Sequence, residues 1–179
     1  MNGESSPATA APYSLPAPHA RHGDAVDVAL LVMAHKAGLI QAEAVNAMPE
    51  IATIPFESER LFSASLNEKD GRQHVSAKGA LERLLPMCNT MAAPGGPVVL
   101  DCSVVERQAQ ALAIQGYRVM ALAAGGIELE PQEVFSEEYL GHLTLIGLVG
   151  MIDPLRPEAK AAVTACRCRY WRYSCWAWR

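Results

Sequence analysis

Lys78-Gly79 is the place where this sequence could hold a phosphate. The lysine ammonium is a compact positive charge, and the glycine lets a ligand approach the backbone. The pair closes an alternating stretch, Arg72 to Lys78, and precedes a helical one, Ala80 to Met87, whose first N–H groups would face the same end. The plainer alternative is a solvated lysine beside a helix-starting glycine. Phe56, after Ile54-Pro55, could offer a ring on which a base stacks, since every base has a π face; it could equally be core. Arg118, after Gly116-Tyr117, opens an apolar strand, where its guanidinium could reach a phosphate or lie at the sheet edge.

Other chemistries find less support. The sequence has no G-x-x-x-x-G-K-[ST] loop and no G-x-G-x-x-G, so neither common phosphate cradle is available. Its five histidines are scattered without H-E-x-x-H or similar ligand spacing, so no protein metal site is expected. Glu57 and Glu59 would share one face of an extended segment as an acid/base pair, but beside Ser58 and Arg60 they read better as a solvated charged turn. No strained elbow presents a serine nucleophile, and five cysteines without a C-x-x-C pair favour neither a disulfide framework nor zinc.

Composition sets the frame for these residues. The chain has 179 residues, 50% apolar and 19% charged, with a net charge of −4. That suits one ordinary domain and argues against disorder and against an electrostatic grip on nucleic acid, which needs a clustered basic face. No apolar run approaches the ~20 residues of a membrane helix, so direct insertion into a bilayer is not expected. The first residues lack the basic and apolar regions of a signal peptide, and a cytosolic location is the default.

The elements that must position these side chains follow from periodicity. Residues 1–20 carry four prolines and read as a flexible leader. Val26, Leu30, Met33 and Ala37 recur at helical spacing, with Asp24 and Asp27 as N-cap and N3 partner and Gly38 as the stop, predicting a helix over about 25–37. The chain extends around Pro49 and Pro55. Leu61 to Leu66 and Arg72 to Lys78 flank a turn-rich stretch ending in Asp70-Gly71, which predicts a hairpin. Helices are expected over 80–87 and 104–115, strands over 118–123 and 142–152, and a last helix over 158–166. Pro154 and Pro157 make 153–157 a natural hinge. Hairpin strands mixed with helices, without regular alternation, favour an α+β domain over a doubly wound one.

Five segments, in order, resemble the nucleotide-binding domain of the P-type cation-transporting ATPases. They are Gly23-Asp24-Ala25-Val26-Asp27-Val28-Ala29-Leu30-Leu31, Ile54-Pro55-Phe56-Glu57-Ser58-Glu59-Arg60, Lys78-Gly79-Ala80-Leu81-Glu82, Gly116 to Ala123 and Gly147 to Arg156. Together they cover about 22–167 and are more specific than any one alone; the likeness is closest to calcium-transporting and related bacterial members. The resemblance implies an antiparallel sheet flanked by helices over 21–152, with 153–167 as the hinge and the start of a phosphorylation-domain helix. It implies that ATP, accompanied by Mg2+, binds with Asp27 near the adenine, Phe56 stacked on it, Lys78 at the pocket floor with Gly79 beside it, and Arg118 toward the phosphates. Asp153 and Arg156 match the hinge motif. In a whole pump the partners would be the phosphorylation and membrane domains, with this domain on the cytosolic side.

Departures from the pattern are equally specific. Leu61 stands where the family usually has a lysine that helps hold the nucleotide, which should weaken phosphate binding. Leu81 and Leu155 replace the usual prolines, and Val28 a residue that is often small. The Asp-Lys-Thr-Gly segment, whose aspartate accepts the γ-phosphate, and the Thr-Gly-Asp segment do not occur in this sequence, so phosphoryl transfer to an aspartate is not expected of the chain alone. Residues 168–179 hold all three tryptophans and three arginines but no acid. They read as a frame-shifted tail or, alternatively, as an Arg/aromatic segment for RNA or a membrane surface. The competing expectation for the whole chain is a noncatalytic interaction module, or a truncated product without independent function.

Overall fold

The computed structural model describes residues 25–130, 132–152, 159 and 162–166. The leader at 1–20, the cap residue Asp24, the hinge residues Asp153 and Arg156 and the tail at 168–179 lie outside the described residues. The chain divides into two units at Leu39/Ile40.

The first unit contains helix α1, Ala25–Lys36. Asp27 lies in its first turn and Lys36 in its last, so both ends carry the charge that suits the helix dipole. Gly38, at φ 82°, ends it as the sequence anticipates. The Gly38 N–H donates to the His35 carbonyl at 2.9 Å and the Leu39 N–H to the Ala34 carbonyl at 3.0 Å, a left-handed C-terminal cap that only glycine enters without strain.

The second unit is built on a seven-stranded sheet. After α2 (Gln41–Ala47) come β1 (Glu50–Ile54), β2 (Phe62–Lys69) and β3 (Arg72–Gly79). The short helix α3 (Leu81–Leu84) follows, then a 3-10 turn (Leu85–Met87), β4 (Cys88–Met91), β5 (Val98–Val99), α4 (Cys102–Ile114), β6 (Arg118–Ile127) and β7 (Leu143–Met151). The strand order is β1-β2-β3-β6-β7-β4-β5. Every pair is antiparallel except β4 with β7, which is parallel. The α+β class and the largely antiparallel sheet are those the sequence anticipates.

Local chemistry explains most of the element ends. Lys69 pairs with Arg72, so the β2–β3 hairpin closes in two residues, Asp70 at φ 53° and Gly71 at φ 71°. Positive φ at both turn positions matches the right-handed twist of the strands. The turn is therefore tighter than the 67–71 stretch read from the sequence. Pro86 lacks an N–H, and the helix expected over 80–87 is an α-turn that tightens to 3-10 geometry there. Helix α4 starts on Asp101, whose carboxylate accepts the Val104 N–H at 3.1 Å, and ends at Gly116, φ 86°. At the far end of the chain, Ala159 and residues 162–166 are helical, within the span where a last helix is expected.

One face of the sheet is the core. Phe62 and Leu66 on β2, Val75 on β3, Ala121 on β6 and Leu143 on β7 are fully buried, and α3 and α4 add Leu84 and Val105. The alternation that buries these residues sends their neighbours to the other face: Ser63 and Ser65 on β2, Ser76 and Lys78 on β3, Leu122 and Ala124 on β6. That outer face is floored largely by small side chains.

Candidate functional site

Strand register fixes which residues share an end of the sheet. Ile54 pairs with Ala64, Phe62 with Gly79, Gly79 with Ala121 and Arg118 with Met151. The ends of β1, β3 and β7 and the starts of β2 and β6 thus lie together. Phe56 follows the end of β1, Lys78-Gly79 closes β3 and Arg118 opens β6, so three segments far apart in sequence converge on one edge.

Lys78 is half-buried and lines a cleft of about 440 Å³ on the outer face, with Ser63, Ser65, Ser76, Leu122 and Ala124. Its register partners are Ser63 on β2 and Leu122 on β6. Arg118 is exposed and, by strand alternation, belongs to the same face as Leu122. Four residues of strand separate the two, about 13 Å. A second cleft, of about 410 Å³, continues across the same face past His74 and Thr144 and shares Ser76, Ala124 and Ile146 with the first. The small floor leaves room for a flat or elongated ligand, and the first cleft is lined by both the positive Lys78 and the negative Glu50.

Gly79 is buried, and its role is steric. A Cβ built on it would lie 2.5 Å from the Leu61 carbonyl oxygen and 2.6 Å from Phe62 Cα. The glycine allows β2 and the chain entering it to close against β3, and so sets where Lys78, its neighbour, emerges.

Phe56 is 56% exposed and does not line the Lys78 cleft. It is not a core residue, which removes the competing reading of its ring. Its loop is held at the base by Arg60, whose guanidinium donates to the Pro55 carbonyl at 3.3 Å and pairs with Glu57 at 3.5 Å and Glu137 at 3.8 Å. The same guanidinium lies 6.0 Å from the centroid of the buried Phe62 ring. Glu57 is therefore part of a charged turn, as its neighbours suggest. Leu61 adopts φ 61°, an uncommon conformation for a bulky residue. It is fixed by the Leu61 N–H donating to the Glu57 carbonyl at 2.8 Å and the Ala80 N–H donating to the Leu61 carbonyl at 2.9 Å. Arg60 and the left-handed Leu61 are not apparent from the sequence. A turn that closes on a bond from Ala80, nineteen residues later, has no local signature.

Asp27 belongs to α1 in the first unit, half-buried in the opening turn of its helix. Among the described residues no cluster of three or more His, Cys, Asp or Glu side chains is arranged to hold a metal ion. No single helix among them is long and apolar enough to cross a membrane; α1 and α2 reach that composition only when counted together across a break.

A mostly antiparallel sheet with its core on one face and a cleft lined by Lys78 on the other defines an α+β domain with a candidate ligand site. Comparison with known proteins makes the class specific. Residues 14–158 match the family described as "P-type ATPase, cytoplasmic domain N", and the chain belongs to that family. It is 40% identical over 145 residues to the cation-transporting ATPase pma1 of a Synechocystis species, covering 80% of this chain and 16% of that protein. It is 41% identical over 146 residues to the probable cation-transporting ATPase F of Mycobacterium bovis, with the same coverage. The calcium-transporting ATPase 1 of Bacillus cereus is 30% identical over 148 residues, 81% of this chain and 16% of that protein. The chain thus spans about one sixth of the length of the curated relatives it matches.

Proposed function

We propose that this chain binds ATP as the nucleotide domain of a cation-transporting P-type ATPase and holds it for phosphoryl transfer to an aspartate outside this sequence. The observation that carries the reading is the convergence of Phe56, Lys78-Gly79 and Arg118 on one edge of the sheet, with Lys78 in a cleft floored by small side chains. In this reading Phe56 stacks on the adenine, Lys78 stands at the pocket floor with Gly79 beside it, packed against Phe62 rather than open to the ligand, and Arg118 meets the phosphates. Asp27 is assigned to the adenine by the family resemblance alone. Mg2+ enters with the nucleotide, and the γ-phosphate is passed on in the whole pump, on the cytosolic side, where the phosphorylation and membrane domains are the partners.

Each role has a physical reason. A base stacked on an aromatic ring contributes roughly 1–3 kcal/mol without requiring base-edge hydrogen bonds. A lysine acts on phosphate as a point charge, whereas an arginine can fork two donors onto it. Phosphoryl transfer is governed by position and electrostatics, so a domain that only fixes the nucleotide still serves the reaction.

An ATP titration of the whole chain, followed by backbone amide shifts, tests the reading. Saturable shifts at Phe56, Lys78 and Arg118, weakened in Lys78→Ala and Phe56→Ala while both variants keep a folded spectrum, are the expected result. A folded spectrum indifferent to ATP, or one in which neither variant changes the affinity, overturns the assignment.

A further inference from the structure

The loop that presents Phe56 is tied from above as well as from below. Arg83, on α3, donates through its terminal NH2 group to the Glu59 carbonyl at 2.9 Å and through Nε to the Arg60 carbonyl at 3.2 Å. Its neighbour Leu84 is fully buried and anchors α3 in the core, and the Ala80 N–H just before α3 holds the Leu61 carbonyl. A rigid base thus carries a two-pronged clamp onto two consecutive carbonyls. With Arg60 reaching the Pro55 carbonyl, the backbone on both sides of Phe56 is held by guanidinium groups.

We infer that Arg83 is a positioning residue for nucleotide binding: it fixes the 55–61 loop so that the exposed Phe56 ring is presented in one orientation to the base. The inference rests on the ATP-binding reading above. Arg83 is exposed, so its two bonds compete with water, and their effect lies in direction more than in strength. A carbonyl accepts from either face, but a planar fork reaching two carbonyls at once allows one loop geometry. An exposed ring on a loop that wanders must lose that freedom when the base binds, and a ring already fixed does not. Glu57, Ser58 and Glu59 bury no side chain, so polar ties alone fix the loop: those of Arg60 and Leu61 at its base, and those of Arg83, which reach it from outside the segment and grip the Glu59 and Arg60 carbonyls.

The test uses the whole chain labelled with 4-fluorophenylalanine, which gives one 19F resonance for each of the three phenylalanines, Phe56, Phe62 and Phe135. In Arg83→Ala the Phe56 resonance moves toward the position of the free amino acid while those of the buried Phe62 and Phe135 stay. The ATP dissociation constant rises about three- to tenfold, a part of the stacking contribution. Millimolar guanidinium ion moves both toward wild type, which a merely structural loss would not show. Arg107→Ala, which removes an arginine from α4, serves as the charge control and leaves both readings in place. An unmoved Phe56 resonance, or an unchanged ATP affinity with Phe56 displaced, overturns the inference. Should Arg83→Ala lose all three native resonances, Arg83→Lys decides: a single ammonium cannot fork, so the Phe56 resonance moves in a folded protein, or the inference fails. Should the wild-type chain not bind ATP, the function reading falls, and the Phe56 resonance in the variants alone decides whether Arg83 positions the ring.

Discussion

Gly79 and Phe62 stand opposite each other in the β2–β3 ladder, and the place a Gly79 side chain would take is already filled by Phe62. Phe62 is fully buried, so it has no free direction in which to yield. Leu61, just before it, is held at φ 61° with its carbonyl oxygen against the same spot. The glycine beside the candidate phosphate-binding lysine is thus demanded by packing, whatever a ligand requires.

Gly79→Ala is therefore expected to destabilise the domain, by about 1–3 kcal/mol, the usual range for overpacking a well-filled core. Urea unfolding measures it as a lower midpoint with the slope kept. An unchanged midpoint would mean that β2 gives way, and the close approach would then not explain the glycine.

Leu61 occupies the position where the family usually carries a lysine, at the entry to β2 and the same end of the sheet as Lys78-Gly79. It is only 37% exposed, and its backbone is set by bonds to Glu57 and Ala80 that involve no side chain. Leu61→Lys keeps those bonds and adds an ammonium at the candidate site. ATP affinity should rise about two- to fivefold at low salt, the scale of an exposed ion pair, and the gain should shrink as salt is added. Isothermal titration at two ionic strengths reads both effects. A gain insensitive to salt would point away from a phosphate contact.

Much of this was legible in the sequence because its causes are local. Asp70-Gly71 announces a tight turn through two residues that accept positive φ, and Gly38 and Gly116 announce helix ends for the same reason. Lys78-Gly79 at a strand end before a helix is readable from a change of period. Less legible were β4 and β5, four and two residues long, whose pairing partners include β7 more than fifty residues away. Helix α2 also escaped, since Gln41 to Ala47 is only 7 residues, too short a stretch to show a helical period. The clamp of Arg60 and Arg83 on the Phe56 loop could not be read, because both act on carbonyls, which every residue has.

Cys88 and Cys102 should differ sharply toward alkylating reagents. Burial, aided by the nearby Cys102 thiol, pushes the Cys88 thiol up to about 11, while Cys102 is exposed at the start of α4. At pH 8 the Cys88 thiolate is then about one molecule in a thousand, and the thiolate is the reacting form. Iodoacetamide followed by peptide mass spectrometry should label Cys102 in the folded chain and leave Cys88 unmodified until denaturant is added. Equal rates in the folded chain would place Cys88 outside the core.

Asp101 makes the stability of α4 depend on pH. The Ser103 hydroxyl donates to its carboxylate at 2.7 Å and the Val104 N–H at 3.1 Å, and these bonds hold its pKa below the ordinary 3.8. The unfolded chain therefore takes up the proton first as acid is added, and the ionised cap contributes fully only above the unfolded value. Its contribution is lost as pH falls through 3.8 and on through the lower folded value. Asp101→Asn keeps an acceptor oxygen at the cap but cannot ionise. Wild type should be the more stable of the two near pH 6, with the gap in unfolding midpoint narrowing below pH 4 as the carboxyl becomes neutral. A gap that stays constant from pH 6 to pH 3 would show that the cap works through its oxygen alone and that the charge contributes nothing.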